Sequence, residues 1–138
     1  MDATSSDLRS LEPLVGTWSI SGPGSTGTVR YEWMEGGGFL VQHVELVQDG
    51  STTRGVEYIG LDRESGLLRS HYFGGDGELL RYVYDLTGDV LTIWFGDPGS
   101  AARFVGTFDP ARTRNTGAWS WPGGGYESTM TRTGGSGS

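Results

Sequence analysis

The chain has 138 residues, a net charge of −7 and no cysteine, which predicts one domain with a core large enough to fold without disulfides or metals. The lack of cysteine excludes thiolate metal clusters and cysteine nucleophiles, and the acidic balance opposes the basic surface that nucleic-acid binding requires. No apolar run approaches the roughly 20 residues of a membrane span, and the N-terminus does not resemble a signal peptide. We therefore expect a cytoplasmic protein with neither nucleic acid nor membrane as a partner.

A short helix is predicted at the start of the chain. Ser5 or Ser6 can cap it, because a side-chain hydroxyl satisfies a free N–H group of the first turn. Leu8 and Leu11 share one face of this helix, and Pro13 is expected to end it. The helix is therefore expected to pack this apolar face against the strands that follow it.

Glycine-rich turns divide the rest of the chain into short strands. The sequence contains 25 glycines, and most lie in clusters between runs rich in Val, Ile, Leu and aromatic residues. These clusters separate about ten strands, the first at about 15–21, and each connection is too short for a parallel crossover. An antiparallel meander of this size avoids exposed edges by closing into a barrel, and such a barrel is wide enough for a ligand cavity. The turns begin at Gly22, Glu35, Gln48, Asp62, Gly74, Thr87, Gly96, Asp109 and Pro122.

Alternation of apolar and polar residues predicts which side chains face the cavity. On the sixth strand Leu80, Tyr82 and Tyr84 share one face, whereas Arg81 and Asp85 lie on the other. The third strand, at 39–47, has no clean alternation, so the direction of its side chains stays open. Outward arginines are expected to form ion pairs with acidic neighbours; the residues in these pairs are Arg30, Arg81 and Arg103 with Glu32, Glu57 and Asp85.

The large aromatic set favours binding of a small hydrophobic or aromatic molecule in the cavity. The alternative from the same residues is a filled core with a few surface aromatics. Residues predicted to bind the ligand are Tyr31, Trp33, Tyr58, His71, Phe73, Leu80, Tyr82, Tyr84, Ile93, Phe95, Phe104 and Trp119.

The triplet Gly16-Thr17-Trp18, at the head of the first strand and after a short helix, resembles the Gly-x-Trp signature of the lipocalins and the wider calycin group. The resemblance implies that Trp18 plugs the closed end of the barrel and that an arginine near the end of the last strand packs across its ring. Arg132 is placed to do so, with a cation–π contribution of about 0.5–2 kcal/mol. Gly16 would let the chain turn from helix to strand.

Longer runs resemble an uncharacterised bacterial family with a lipocalin-like barrel, for which no activity is implied. These runs are 36–42, 65–73, 103–108 and 116–121. The chain departs from that family's pattern at 74–76 and has apolar Leu80, Phe95 and Ala102 at inward positions. These departures predict a more apolar cavity, through divergence or engineering.

Two other functions remain open, and whether the protein is an enzyme is undecided. His43 or His71 could act as a catalytic acid or base inside the barrel, with a Tyr hydroxyl or with Glu45 or Glu57, in a cofactor-independent isomerase or cyclase. The more distant resemblance to nitrobindins implies haem; the segment 126–132 has no histidine, which leaves Met130 or His71 as the axial ligand. The sequence offers no metal-ligand motif, and no cofactor is expected.

The chain is predicted to form one barrel domain over residues 1–133, followed by a linker or tag remnant at 134–138. Trp94 and Tyr72 are expected on the outer surface, where they would suit a homodimer face.

Overall fold

The structure is a computed structural model that describes residues 7–134. In this range a short 3₁₀ helix, Leu8–Leu14, precedes ten strands, each of which pairs antiparallel with the next along the chain. Pairing of the first strand with the last closes the barrel, which confirms the prediction of a single all-β, up-and-down barrel with about ten strands and a short N-terminal helix. The strands are β1 (Gly16–Gly22), β2 (Ser25–Trp33), β3 (Leu40–Gln48), β4 (Ser51–Leu61), β5 (Leu68–Gly74), β6 (Leu79–Thr87), β7 (Val90–Phe95), β8 (Arg103–Phe108), β9 (Arg114–Trp121) and β10 (Gly124–Gly134).

The helix differs from its prediction in type and bounds. Its cap is Asp7, whose side chain accepts a hydrogen bond from the backbone N–H of Arg9 at 3.0 Å; the predicted caps, Ser5 and Ser6, lie outside the described residues. Pro13 lies inside the helix and does not end it. A 3₁₀ helix has three residues per turn, so the leucines at positions 8, 11 and 14 all fall on one buried face.

Tight turns fix the register of the barrel. Asp49 and Gly50 alone connect β3 to β4, and both have a positive φ, 51° and 81°. This is the backbone geometry of a two-residue type I′ hairpin, for which Asp-Gly is a favoured pair. Gln48 consequently pairs with Ser51, and the alternation of both strands follows from that pairing.

Strand β3 presents its even-numbered residues to the interior. Leu40 is fully buried, and Gln42 and Val44 face the barrel lumen. His43 and Glu45 therefore point outward, where His43 Nε2 lies 2.7 Å from Glu32 and Glu45 lies 3.0 Å from Arg54.

The closed end of the barrel is an apolar floor beneath the helix. Trp18 is fully buried; its indole N–H donates to the carbonyl of Leu14 at 2.8 Å. The guanidinium of Arg132 lies 4.2 Å from the Trp18 ring centroid and donates to the carbonyls of Val15 and Pro13. Gly16, at a φ of 131°, makes the turn from helix to strand in a conformation that other residues rarely adopt. Other floor residues are Leu8, Leu11, Leu40, Ile59, Leu68, Leu86 and Phe108.

The outer wall carries its own small aromatic cluster. Tyr58 packs edge-on against Phe39 and Phe73, with ring centroids 6.4 and 6.1 Å apart. Val41 is buried on this same outer side because it pairs with Tyr58 across β3 and β4. This arrangement places apolar residues on both faces of β4.

Candidate functional site

A cavity of about 430 Å³ lies above the floor, inside the open half of the barrel. It is bounded by the inward side chains of all the strands, and the turns after β1, β3, β5, β7 and β9 surround its mouth. Because the floor fills the opposite end, a ligand can reach the cavity only from this rim. A space of this size is within the range of small-molecule sites.

Aromatic rings form one side of the cavity. Tyr82 packs edge-on against Phe95 and Trp119, at centroid distances of 5.7 and 6.0 Å. Phe104 lies 5.6 Å from Trp119 and extends the set toward the floor. Such linked rings offer flat, polarisable surface to a ligand while they hold one another in place.

A polar network occupies the deep part of the opposite wall, with Glu57 at its centre. Glu57 is only 3% exposed, and its two carboxyl oxygens accept from the hydroxyls of Ser70, at 2.5 Å, and Tyr84, at 2.7 Å. Gln42 donates from its side-chain amide to the Tyr31 hydroxyl at 2.9 Å. Glu57, Tyr84, Tyr31 and Gln42 all line the cavity.

Burial sets the ionisation of this network. Desolvation raises the pKa of Glu57 above its ordinary value, although the hydrogen bonds from Ser70 and Tyr84 act in the other direction. Desolvation, followed by the nearby Glu57 charge, also raises the pKa of Tyr31 and Tyr84. The tyrosines therefore remain neutral donors, and Glu57 is the group in the network whose charge can change under ordinary conditions.

Asn115 is a further buried polar residue, on β9, five strands from β4 in either direction around the barrel. The side-chain amide nitrogen and oxygen of Asn115, Nδ2 and Oδ1, are both buried, and neither has a hydrogen-bond partner among residues 7–134. Asn115 nevertheless belongs to the cavity lining, so it adds a polar side chain to the wall opposite Glu57.

Half of the residues predicted to bind a ligand line the cavity, and these are Tyr31, Tyr82, Tyr84, Ile93, Phe104 and Trp119. Leu80 and Phe95 belong to the inner face at the open rim, outside the cavity lining, and Phe95 is 44% exposed. Trp33 lies at the closed end, where its indole N–H donates to Glu12 at 2.9 Å and its ring lies 4.7 Å from the Arg9 guanidinium.

The expectation that Tyr58, His71 and Phe73 line the cavity does not hold. Tyr58 pairs with His71 and lies beside Phe73 on the outer wall, since the inward face of β5 consists of Leu68, Ser70 and Tyr72. Tyr72 is accordingly buried and lines the cavity, so it is not the exposed residue that the predicted dimer face required. The homodimer itself stays a prediction.

Both histidines lie outside the cavity. His43 faces Glu32 on the outer wall, and His71 is exposed on β5. Neither can exchange a proton with a molecule in the cavity, which removes the basis for the predicted histidine-dependent enzyme. Of the two candidate haem ligands, Met130 faces the cavity and His71 does not.

Glu57 is missing from the residues predicted to bind a ligand, because the sequence places it in the outer ion pairs and otherwise only as a possible partner of a catalytic histidine. The predicted inward position of Tyr58 forces its neighbour Glu57 outward, because adjacent residues of a strand face opposite sides. The signal that was available is Ile59, an apolar residue of the same parity as Glu57, which is fully buried in the floor. Among the predicted outer pairs, Arg30 contacts Glu32 at 2.8 Å.

The chain matches no protein-family model and no curated protein. In residues 7–134 no helix has the length and hydropathy that crossing a membrane requires. The same range contains no group of three or more His, Cys, Asp or Glu side chains placed to hold one metal ion.

Proposed function

We propose that the protein binds a small, largely apolar and aromatic molecule inside the barrel. The observation that carries this proposal is the 430 Å³ cavity, closed at the floor, open at the rim and lined by linked aromatic rings. A barrel core that served folding alone would be filled at this level, since protein interiors are close-packed. The floor and the deeper cavity residues form one packed cluster, and the space above them stays unfilled.

We also infer a relationship to the calycin group, nearer to the uncharacterised bacterial family with a lipocalin-like barrel and more distant to the nitrobindins. The supporting features are the Gly16-Thr17-Trp18 triplet and the contact between Arg132 and Trp18. Fold alone does not assign a ligand, so the choice of an aromatic molecule depends on the cavity lining.

Titration with an uncharged fluorescent aromatic probe, N-phenyl-1-naphthylamine, tests the proposal. We expect its fluorescence to rise on binding, and we expect Tyr82→Ala to weaken binding by roughly tenfold, the effect of losing about 1.4 kcal/mol of contact. Tyr58→Ala is the matched control, because it removes the same side chain from the outer wall and should leave the affinity unchanged. No binding at tens of micromolar probe, or equal losses in the two variants, would contradict the proposal.

A further inference from the structure

The charged side chains that line the cavity are all acidic. Glu57 lies deep in the wall and Glu78 lies at the exposed rim, whereas no Arg, Lys or His side chain lines the cavity in the part of the chain that the structure describes. The sequence as a whole is acidic, with a net charge of −7. The potential inside the cavity therefore favours a positively charged molecule over a negatively charged one.

Glu57 differs from the acidic residues of the outer wall in its partners. Glu32 and Glu45 contact Arg30 and Arg54 in water-exposed ion pairs. Glu57 makes no ion pair with any residue in the range 7–134, and its carboxyl oxygens meet only the neutral hydroxyls of Ser70 and Tyr84. A buried carboxylate without a counter-charge is unfavourable. A positively charged ligand group beside Glu57 would supply the counter-charge that residues 7–134 do not provide.

We propose that the molecule bound in the cavity is an aromatic cation, a flat apolar body that carries an ammonium or amidinium group, with Glu57 as its counter-ion. This inference rests on the proposed function and specifies the chemical class of its ligand. Glu57 and the Tyr84 hydroxyl form the polar end of the site, while Trp119 and Phe104 contact the apolar body.

The rings around the cavity suit the same class of ligand. The electron-rich faces of Tyr and Trp attract a cation that has lost part of its water, and Tyr31, Tyr82 and Trp119 all line the cavity. Glu78 at the mouth and the negative net charge draw a cation toward the rim. A carboxylate ligand of similar shape would instead be repelled by Glu78 at the mouth and by the Glu57 carboxylate at the polar end of the site.

Binding of a cation is expected to be coupled to loss of a proton from Glu57. The titratable groups that face Glu57 are Tyr31, Tyr72, Tyr82 and Tyr84, with Glu78 farther out at the rim. The pKa of each of these tyrosines is raised, mainly by desolvation, so none of them ionises near neutral pH. Burial raises the pKa of Glu57, and a bound cation lowers that pKa again because it stabilises the carboxylate.

Three probes of matched shape test this proposal by isothermal titration calorimetry: 1-naphthylmethylamine as the cation, 1-naphthalenemethanol as the uncharged form and 1-naphthoate as the anion. We expect the amine to bind wild-type protein at least roughly tenfold more tightly than the alcohol, and the anion to bind most weakly. Glu57→Gln keeps the size of the side chain and, like a protonated carboxyl group, offers one acceptor and one donor. It removes the negative charge and should abolish the preference for the amine. Glu45→Gln removes the same charge from the outer wall and should preserve it.

A second measurement uses only wild-type protein, so it does not depend on how a variant folds. Amine titrations in two buffers with different ionisation enthalpies report protons released on binding; we expect release when the pH lies below the raised pKa of Glu57 and none with the alcohol. If the alcohol binds as tightly as the amine, or if Glu57→Gln retains the preference, the cation proposal is wrong while the proposed binding function stands. If none of the probes binds, the proposed function fails as well.

Discussion

The two ends of the barrel use the same strands for different purposes. Strand β3 begins in the floor with Leu40, which is fully buried, and passes through Gln42 in the polar network to Val44 in the cavity wall. Strand β4 runs the other way, from Thr53 near the mouth past Glu57 to Ile59 in the floor. At the floor the inward side chains meet and fill the lumen; two residues nearer the mouth on each strand, at Gln42 and Glu57, they line a cavity instead. The floor therefore serves mainly to stabilise the fold, whereas the upper half leaves space for a bound molecule.

The largest expected effect comes from removing the centre of the floor. Trp18→Ala should reduce the free energy of unfolding by about 3–5 kcal/mol, because it deletes a fully buried indole and leaves a cavity. It also removes the donor to the Leu14 carbonyl and the ring beneath Arg132. Urea unfolding followed by circular dichroism measures the change.

The matched control is Trp121→Ala at the open rim. Trp121 is 43% exposed and contacts Tyr126 at a centroid distance of 5.9 Å, so its loss should cost about 1 kcal/mol, the worth of an aromatic pair. Equal destabilisation by the two substitutions would mean that the floor is not the main core of the barrel.

A smaller effect is expected from adding volume at two positions on one face of β3. Leu40→Phe places a larger, aromatic side chain in the filled floor and should reduce the free energy of unfolding by about 1–3 kcal/mol through overpacking. Val44→Phe places a ring of the same kind in the cavity, where there is room, and should change stability by less than about 1 kcal/mol. Thermal or urea unfolding compares the variants, and probe binding should be weakened by Val44→Phe, which occupies ligand space. Similar costs at both positions would show that the cavity is not open space.

The barrel could be predicted from the sequence because its signals are local. Each turn is built from residues that adopt positive φ or end a strand, as with Asp49 and Gly50, and their spacing leaves segments too short for crossovers. Strand β6 has a clean alternation, so Tyr82 and Tyr84 could be assigned to the interior correctly. The only further step, closure of the meander, follows from the cost of exposed edges.

The polar part of the site could not be predicted in the same way because its partners come from other strands. Apolar residues occupy both faces of β4: Ile59 belongs to the floor, and Tyr58 packs with Phe39 and Phe73 outside. Alternation alone then favours the wrong face, since a glutamate is usually exposed. Glu57 is stable inside only because Ser70 and Tyr84 supply its hydrogen bonds, and nothing within β4 encodes those contacts.

The last difference between the floor and the cavity wall is a dependence of stability on pH that only the wall should show. Glu57 has an ordinary pKa of 4.5, and burial raises that pKa in the folded protein. As the pH rises above about 4.5, the unfolded chain releases this proton first while the folded protein retains it, so the contribution of Glu57 to stability falls. The slope is at most about 1.4 kcal/mol per pH unit and ends once the pH has passed the folded-state pKa. We therefore expect Glu57→Gln to gain stability relative to wild type across this window, as measured by urea unfolding at a series of pH values.

Glu32→Gln on the outer wall gives the contrasting case. The hydrogen bond from His43 is the largest cause that lowers the pKa of Glu32, so this residue contributes stability above its ordinary pKa and loses it as the pH falls. Its substitution should act in the opposite sense and by less, because the group is exposed to solvent. Every other carboxylate is common to wild type and variant and cancels in the difference. If the stability of Glu57→Gln ran parallel to that of wild type at all pH values, the pKa of Glu57 would be the same in the folded and unfolded protein. Burial in the wall would then not disfavour the charged carboxylate.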